Sequence, residues 1–199
     1  MAATLITPEA VLSYPHLEKA QESTKPNGKA KFSATFVFSG KETLAALEAA
    51  AREVAIDALG EKKGKTFELF GGKGSAFRTD NAAKYPTIAN AITIGARSDR
   101  KPGLVYRHAD PATITKETPN GKPAKVSDDD IEDVFYPGAI VKGLIKPYWY
   151  DTEGNKGIGW ALNGVQKWTE GERLDSRVKA EDAFDADMSA TPDALADVV

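Results

Sequence analysis

The chain has 199 residues, of which 41% are apolar and 28% charged, and it contains no cysteine. These values suit one globular domain and exclude a fibrous or fully disordered chain. The lack of cysteine excludes disulfides, thiolate metal ligands and a cysteine nucleophile. No run approaches the ~20 apolar residues that span a bilayer, and Met1–Thr7 lacks the pattern of a secretory signal. We therefore expect a cytosolic protein.

The net charge of −3 hides an asymmetry along the chain. Of the 29 acidic residues, six lie in 181–199 without any basic residue, which leaves 23 acidic and 26 basic residues in 1–180, a charge of +3. The acidic residues of this tail are Glu181, Asp182, Asp185, Asp187, Asp193 and Asp197. Because the tail has few large apolar side chains, we predict one domain over 1–180 and a disordered acidic tail over 181–199. A solvated end that only aids solubility has the same composition.

The N-terminal third contains a clear strand pattern. Apolar residues alternate over Leu5–Leu17, interrupted by two prolines, and a polar segment with the turn Pro26-Asn27-Gly28 follows. From Lys31 to Phe38 the alternation is strict, which predicts a half-buried strand. Its apolar face holds Phe32, Ala34, Phe36 and Phe38, and its polar face holds Lys31, Ser33 and Thr35.

One helix is predicted over Lys41–Leu59. Ser39 and Glu42 have the spacing of a capping box, which begins a helix, and Gly60 ends it. Apolar residues at helical spacing form a stripe that we expect to pack on a sheet. The stripe consists of Leu44, Leu47, Ala51, Val54 and Ala58.

The segment Gly60–Arg78 is rich in glycine and basic residues, which predicts a mobile basic loop. Its Gly60–Thr66 part has the glycines and lysine of a phosphate-binding loop, but three residues separate the glycines where the motif has four. It also follows a helix instead of a strand. Nucleotide binding is therefore rejected.

The rest of the domain is rich in strand patterns. Short strands are predicted at Ile92–Arg97 and Leu104–Arg107, and a long hairpin at Ala139–Tyr150 and Gly157–Gln166. One helix, about six strands and long loops predict a mainly β fold, a small barrel with insertions.

The strand Ala139–Tyr150 has two distinct faces. Lysines and tyrosines on one strand face suit a platform for single-stranded nucleic acid, because ammonium groups contact phosphates and rings stack on any base. An ordinary exposed face with solvated lysines has the same pattern, so the pattern alone leaves both interpretations open. The mixed face consists of Ile140, Lys142, Leu144, Lys146, Tyr148 and Tyr150, and the apolar face of Ala139, Val141, Gly143, Ile145, Pro147 and Trp149.

Two further groups would extend this platform. Lys31 joins it if the two strands share a sheet. A second basic cluster with one aromatic residue would flank the groove, or be a solvated loop, and consists of Arg97, Arg100, Lys101, Tyr106 and Arg107. Trp160 alternates with Ile158 and Leu162 and is predicted to lie in the core, whereas Trp168 has no predicted position.

Patterns for catalysis are weak. The only histidines, His16 and His108, lack the spacing of a metal-ligand pair. The carboxylates of Asp128–Glu132 could bind a divalent metal in a nuclease. Carboxylates that follow Ser127 also suit the start of a helical turn, which we predict at Asp128–Val134 with Ser127 as its cap. We expect no enzyme activity, no cofactor and no metal.

Several segments together resemble a family of phage single-stranded DNA-binding proteins. They are Leu12–Leu17, Lys31–Thr35, Tyr136–Tyr150, Gly154–Ile158, Leu162–Lys167 and Gly171–Leu174, spread over about residues 11–177. The resemblance implies an OB fold, a five-stranded barrel with insertions, and binding of ssDNA without sequence preference. It also implies that the lysine and tyrosine face is the DNA platform.

The resemblance gives the acidic tail a regulatory role. A polyanion tethered beside a basic groove competes with ssDNA at high effective concentration. Once displaced by DNA, the tail would be free to recruit replication or recombination proteins. Tails of similar phage proteins often end in a large aromatic residue, whereas this chain ends in Asp197-Val198-Val199.

The sequence therefore predicts a non-enzymatic phage protein that coats ssDNA during replication, recombination and repair in the cytoplasm of an infected bacterium. Homo-oligomers on DNA, and weak duplex binding only without the tail, are further expectations. A metal-dependent nuclease or resolvase, and a phage assembly protein without DNA affinity, are the alternatives.

Overall fold

The computed structural model describes residues 3–23, 28–107, 123–152 and 154–174, and within these it contains nine strands and three α-helices. The strands are β1 (Leu5–Ile6), β2 (Ala10–Gln21), β3 (Lys31–Ser39), β4 (Phe70–Gly71), β5 (Phe77–Arg78), β6 (Ala91–Ser98), β7 (Gly103–Val105), β8 (Ile140–Thr152) and β9 (Asn155–Thr169). The helices are α1 (Ala45–Leu59), α2 (Glu61–Thr66) and α3 (Ile131–Val134), with 3-10 turns at Ala82–Lys84 and Asp128–Asp130. The tail 181–199 and most of the Pro26-Asn27-Gly28 turn lie outside the described residues.

Five of the strands close into a barrel. β2 pairs with β3, β3 with β6, β6 with β9, β9 with β8, and β8 with β2. Numbered by their order in the chain, these strands follow the ring order 1-2-3-5-4, and all pairs are antiparallel except β6 with β9. This five-stranded Greek-key ring is that of the OB fold. The predicted fold class, an OB barrel with insertions, is confirmed.

The barrel interior is the main hydrophobic core. Where the strands are regular, alternation places one face inside, and fully buried side chains such as Phe36, Ile94, Ile145 and Leu162 come from four different strands. The strand β3 therefore has the faces that its sequence predicts. Trp160 is buried as predicted, and its indole Nε1 donates a hydrogen bond of 2.8 Å to the Ala76 carbonyl.

Helix α1 begins later than predicted. It starts at Ala45 instead of Lys41, and no side chain caps it. Ser39 ends β3, where its hydroxyl donates to the Ala89 carbonyl, so the capping-box prediction is wrong. Leu44, Leu47, Ala51 and Val54 are buried as predicted, but Ala55 takes the place of the exposed Ala58 on the buried stripe. Gly60 ends the helix as predicted, with a φ of 80°.

The segment 60–78 is more ordered than the predicted loop. It forms α2 and the two short strands β4 and β5. Arg52 on α1 holds this segment, because its Nη1 donates to the carbonyls of Gly64 (3.0 Å) and Phe67 (2.5 Å).

The predicted cap of the turn at Asp128–Asp130 is also wrong. The Ser127 hydroxyl does not cap the backbone of this turn, since it donates to the Asp130 carboxylate.

A strap formed by residues 170–174 closes the end of β9 against the segment that precedes β8. The Tyr136 hydroxyl donates to Glu170 Oε2 (2.5 Å), and the Leu174 amide donates to the Pro137 carbonyl (2.9 Å). Lys167 is buried beneath it with its Nζ 3.0 Å from Glu170 Oε2. Burial lowers the pKa of Lys167 and raises the pKa of Tyr136. The strap thus fixes the point at which the chain leaves the barrel.

We expect Gly138→Ala to lower the free energy of unfolding by more than about 2 kcal/mol. Gly138 has a φ of +107°, and a Cβ there would overlap the Glu172 carbonyl oxygen of the strap. Gly95→Ala is the matched control, because a Cβ at Gly95 meets open space, and a change of less than about 1 kcal/mol is expected. Chemical denaturation of both variants measures the effect. Equal stabilities would contradict a tightly packed strap.

Candidate nucleic-acid interface

A row of four paired residues, two of them basic, crosses the outer face of the barrel. Register pairs Ser33 on β3 with Arg97 on β6, Arg97 with Ala161 on β9, and Ala161 with Lys146 on β8. Paired residues in a sheet share a face, and each of these residues has at least one chain neighbour buried in the core: Ala34, Ala96, Trp160, Leu162 and Ile145. The row therefore brings Arg97 and Lys146 to one surface. We call these four residues the basic row.

Tyr148 lies on the same face, one step along β8 from the basic row. It is paired with Gly159, and its side chain is 43% exposed. A Cβ at Gly159 would lie 2.6 Å from Cζ of Tyr148, so the ring lies over the glycine backbone. Gly95 is exposed and open above its Cα. The absence of side chains at both glycines leaves a flat aromatic surface with free space beside it.

Tyr150 and Lys31 lie at the two ends of this surface. Tyr150 is half-buried and paired with Gly157 near the tip of the hairpin. Lys31 is exposed at the start of β3, and its Nζ is 3.2 Å from Asp99 Oδ1. An exposed ion pair of this kind contributes little energy, so an incoming phosphate can compete for the lysine.

A second group on the outer face is built around Trp168, for which the sequence predicts no position. The Nζ of Lys142 lies 3.4 Å and the Cζ of Arg107 3.9 Å from the centroid of its ring. Cation–π contact holds two positive charges together at this point. Further along β8, Leu144 is 39% exposed and pairs with the exposed Ile6 of β1. The mixed face of β8 thus carries cationic and apolar or aromatic side chains in alternation.

The remaining residues of the predicted basic cluster are placed less favourably for contact with DNA. Lys101 pairs with Asp128 at 2.8 Å between Nζ and Oδ1, and Arg100 is exposed in the turn after β6. Tyr106 packs against the core, and burial raises its pKa, with a smaller contribution from Asp130. Tyr106 is therefore only partly exposed. The role of each of these residues in DNA binding stays a prediction.

The carboxylates of Asp128–Glu132 do not converge. In the described ranges no group of three or more histidine, aspartate or glutamate side chains is arranged to hold a metal ion. Asp128 pairs with Lys101, and the Asp130 carboxylate accepts from Ser127. Within the same part of the chain, no helix is long and apolar enough to cross a membrane.

Comparison with known proteins identifies the family. The family model described as the ssDNA-binding protein of Enterobacter phage Enc34 matches residues 3–195. The chain belongs to this family. The prediction of a non-enzymatic phage ssDNA-binding protein is confirmed at this level, over both the nuclease and the assembly alternatives. No curated protein sequence matches the chain significantly.

Solved structures agree with the fold of this Enc34-family protein. The ssDNA-binding protein of bacteriophage Enc34 in complex with ssDNA is 19% identical, with a TM-score of 0.60 over 86% of this chain and 89% of that one. The C-terminal truncation of the same protein is 18% identical, with a TM-score of 0.62 over 86% of this chain and 88% of that one. The ssDNA-binding protein gp2.5 of bacteriophage T7 is 12% identical, with a TM-score of 0.50 over 88% of this chain and 97% of that one. At these identities the likeness establishes the barrel alone.

Proposed function

We propose that this protein binds ssDNA without sequence specificity across the outer face of its OB barrel. The observation that carries the proposal is the basic row, which joins Arg97 and Lys146 across three strands beside the exposed Tyr148 ring. The outer face of the second and third barrel strands, here β3 and β6, is the surface that OB folds use for oligonucleotides. Membership in a family of ssDNA-binding proteins supports the same ligand.

The chemistry of this face favours binding that tolerates any sequence. Arg97 and Lys146 can neutralise phosphates, which carry no base identity. The Tyr148 ring can stack on any base because every base has a π face, and each stacked base contributes roughly 1–3 kcal/mol. Lys142 and Arg107 around Trp168 would extend the phosphate path along β8. This surface therefore supports coating of exposed strands during phage replication, recombination and repair.

The acidic tail is part of the same proposal. Residues 181–199 would compete with ssDNA for the basic face and, once displaced, contact replication or recombination proteins. Without the tail, we expect weak binding to duplex DNA because the charge of residues 1–180 is positive. Association of copies along the strand, in the cytoplasm of the infected host, completes the proposed function.

The direct test is a fluorescence-anisotropy titration of a labelled mixed-sequence oligonucleotide with the full chain. We expect tight binding that weakens as salt rises, since phosphate contacts release counterions. Oligonucleotides of different composition should bind with similar affinity. Absence of binding at moderate salt would refute the proposed function.

We expect Tyr148→Ala to weaken ssDNA binding by about 5- to 150-fold, the equivalent of one lost stacking contact. Tyr148→Phe retains the ring over Gly159 and should bind within about twofold of the wild type. Because Tyr148 is 43% exposed, neither change should unfold the barrel, which circular dichroism can verify. Equal affinity of Tyr148→Ala and the wild type would show that the ring is not a platform.

A further inference from the structure

Tyr14 has an unusual backbone for a large aromatic residue. Its φ is +45°, in the left-handed region, which non-glycine residues other than Asn and Asp rarely adopt. It sits in a β-bulge of β2, where the register shifts between Ser13 and His16. The strand is pinned beside the bulge, because the Tyr85 hydroxyl donates to Ser13 Oγ at 3.0 Å. The conformation therefore costs free energy that the surrounding structure must supply.

Burial of the Tyr14 side chain does not offset the free energy that this backbone conformation costs. Tyr14 is 61% exposed, among the most exposed large hydrophobic side chains in the described residues. Bulges redirect single side chains and are frequent beside functional sites, where strained residues also concentrate. An exposed aromatic ring on a strained bulge points to a role in ligand binding.

A cleft of about 490 Å³ opens beside Tyr14, between the bulge and the segment around α3. Its volume is within the range of sites for small organic groups. Tyr136 and Arg173 line the cleft together, with the Arg173 guanidinium carbon 4.4 Å from the Tyr136 ring centroid. The exposed carboxylates of Glu132 and Asp133 also line it, as does the ion pair of Lys19 with Glu18, 3.3 Å between Nζ and Oε1. The cleft thus combines rings, a stacked cation and hydrogen-bond acceptors.

The cleft is continuous with the basic row. His16 lines the cleft and is paired with Ser33, the β3 member of the row. The line His16–Ser33–Arg97–Ala161–Lys146 therefore runs around the outside of the barrel and crosses all five of its strands. At the usual spacing of strands, this line is about 19 Å long along the barrel surface. A strand of DNA that followed this line from Lys146, which lies next to Tyr148 on β8, would reach the cleft beside Tyr14 at the other end.

We propose that this cleft is a subsite for one unstacked nucleobase of the bound ssDNA, with Tyr14 as its stacking partner. The proposal rests on the proposed function and adds a base contact on β2. The cleft lining holds three carboxylates and the two cations Lys19 and Arg173, so its net negative charge disfavours a phosphate. Glu132 and Asp133 accept hydrogen bonds from the N–H groups of a base edge. The base, and not the backbone, therefore enters the cleft. Arg97 and Lys31, on the neighbouring strands β6 and β3, would contact the phosphates.

The test compares Tyr14→Asn with Tyr14→Phe in the full chain, using a labelled mixed-sequence oligonucleotide. Tyr14→Asn removes the ring and suits a positive φ, so ssDNA affinity should fall about fivefold or more while the melting temperature stays equal or rises. Tyr14→Phe keeps the ring and should bind like the wild type. A melting temperature of Tyr14→Asn several degrees below the wild type, or an unchanged affinity, would overturn the subsite.

A crosslinking experiment separates this proposal from the general one. An oligonucleotide that carries a halogenated uracil couples, on illumination, to aromatic side chains on which the base stacks. Peptide mapping should find a crosslink at Tyr14 in the wild type. Binding that depends on Tyr148, without a crosslink at Tyr14, overturns the subsite and leaves the proposed function intact. Absence of any binding by the wild type overturns both.

Discussion

Replacing Arg97 and Lys146 together with glutamine is expected to lower ssDNA affinity about 25-fold at roughly 0.1 M salt. Each phosphate contact on a single strand contributes about 0.7 to the slope of log K against log salt, so one contact is worth about fivefold at this concentration. The two residues lie in one row on the outer face, on β6 and β8, with Ala161 between them. The salt slope of the double variant should therefore fall by about 1.4.

The control for this experiment is the double variant Lys62→Gln, Lys63→Gln. It removes the same charge from exposed positions on α2, which lies outside the basic row. Any effect of net charge alone appears equally in both double variants. Affinity and salt slope are measured by anisotropy at several salt concentrations. If both double variants lose the same affinity, the row does not contact phosphates.

Strands with one buried face are the most predictable part of this fold. In β3 and β8 the apolar and polar residues alternate with period 2, so the sequence alone separates core from surface. The predicted faces of Lys31–Phe38 and Ala139–Tyr150 agree with the burial in the barrel. The same alternation correctly predicts that Lys146 and Tyr148 share one surface. The local sequence pattern therefore suffices to predict the buried and exposed faces wherever a strand is regular.

Trp168 shows where local pattern fails. Ile158, Trp160 and Leu162 point into the core, and strict alternation would continue this to residue 168. A register shift opposite Leu144 and Ile145 of β8 adds one residue to β9, so the residues of β9 that follow it exchange their inner and outer faces. Lys167 is consequently buried, and Trp168 lies among cations on the outer side. A bulge of one residue has no strong sequence signature, so the position of Trp168 is not predictable from the sequence.

The basic row depends on pairings between distant segments. Arg97 meets Ala161 through the parallel contact of β6 with β9, the strand pair that closes the barrel. No periodicity within either strand reveals which strand will lie beside it, and the sequence assigns Arg97 only to a second cluster that would flank the groove. The failed capping box has a similar origin, because Ser39 bonds to Ala89 across the end of β3. Contacts between segments distant in the sequence therefore determine both the position of Arg97 and the role of Ser39.

Deleting residues 181–199 is expected to raise ssDNA affinity by about tenfold or more at low salt. The deletion removes six acidic and no basic residues, which changes the net charge from −3 to +3. A tethered competitor acts at an effective concentration on the order of millimolar, so its loss frees the basic face for DNA. The gain should shrink as salt rises, since the Debye length falls from ~10 Å at 0.1 M to ~3 Å at 1 M.

A second variant separates charge from chain length as the cause of this gain. It keeps all 199 residues and replaces the six tail carboxylates by their amides, Glu181→Gln and the five aspartates by Asn. If the tail competes through its charge, this variant should bind ssDNA as tightly as the truncation. A gain seen only on truncation would indicate that the tail obstructs DNA by its volume. If affinity is unchanged or lower in both variants, the tail does not compete with ssDNA for the face that carries Arg97 and Lys146.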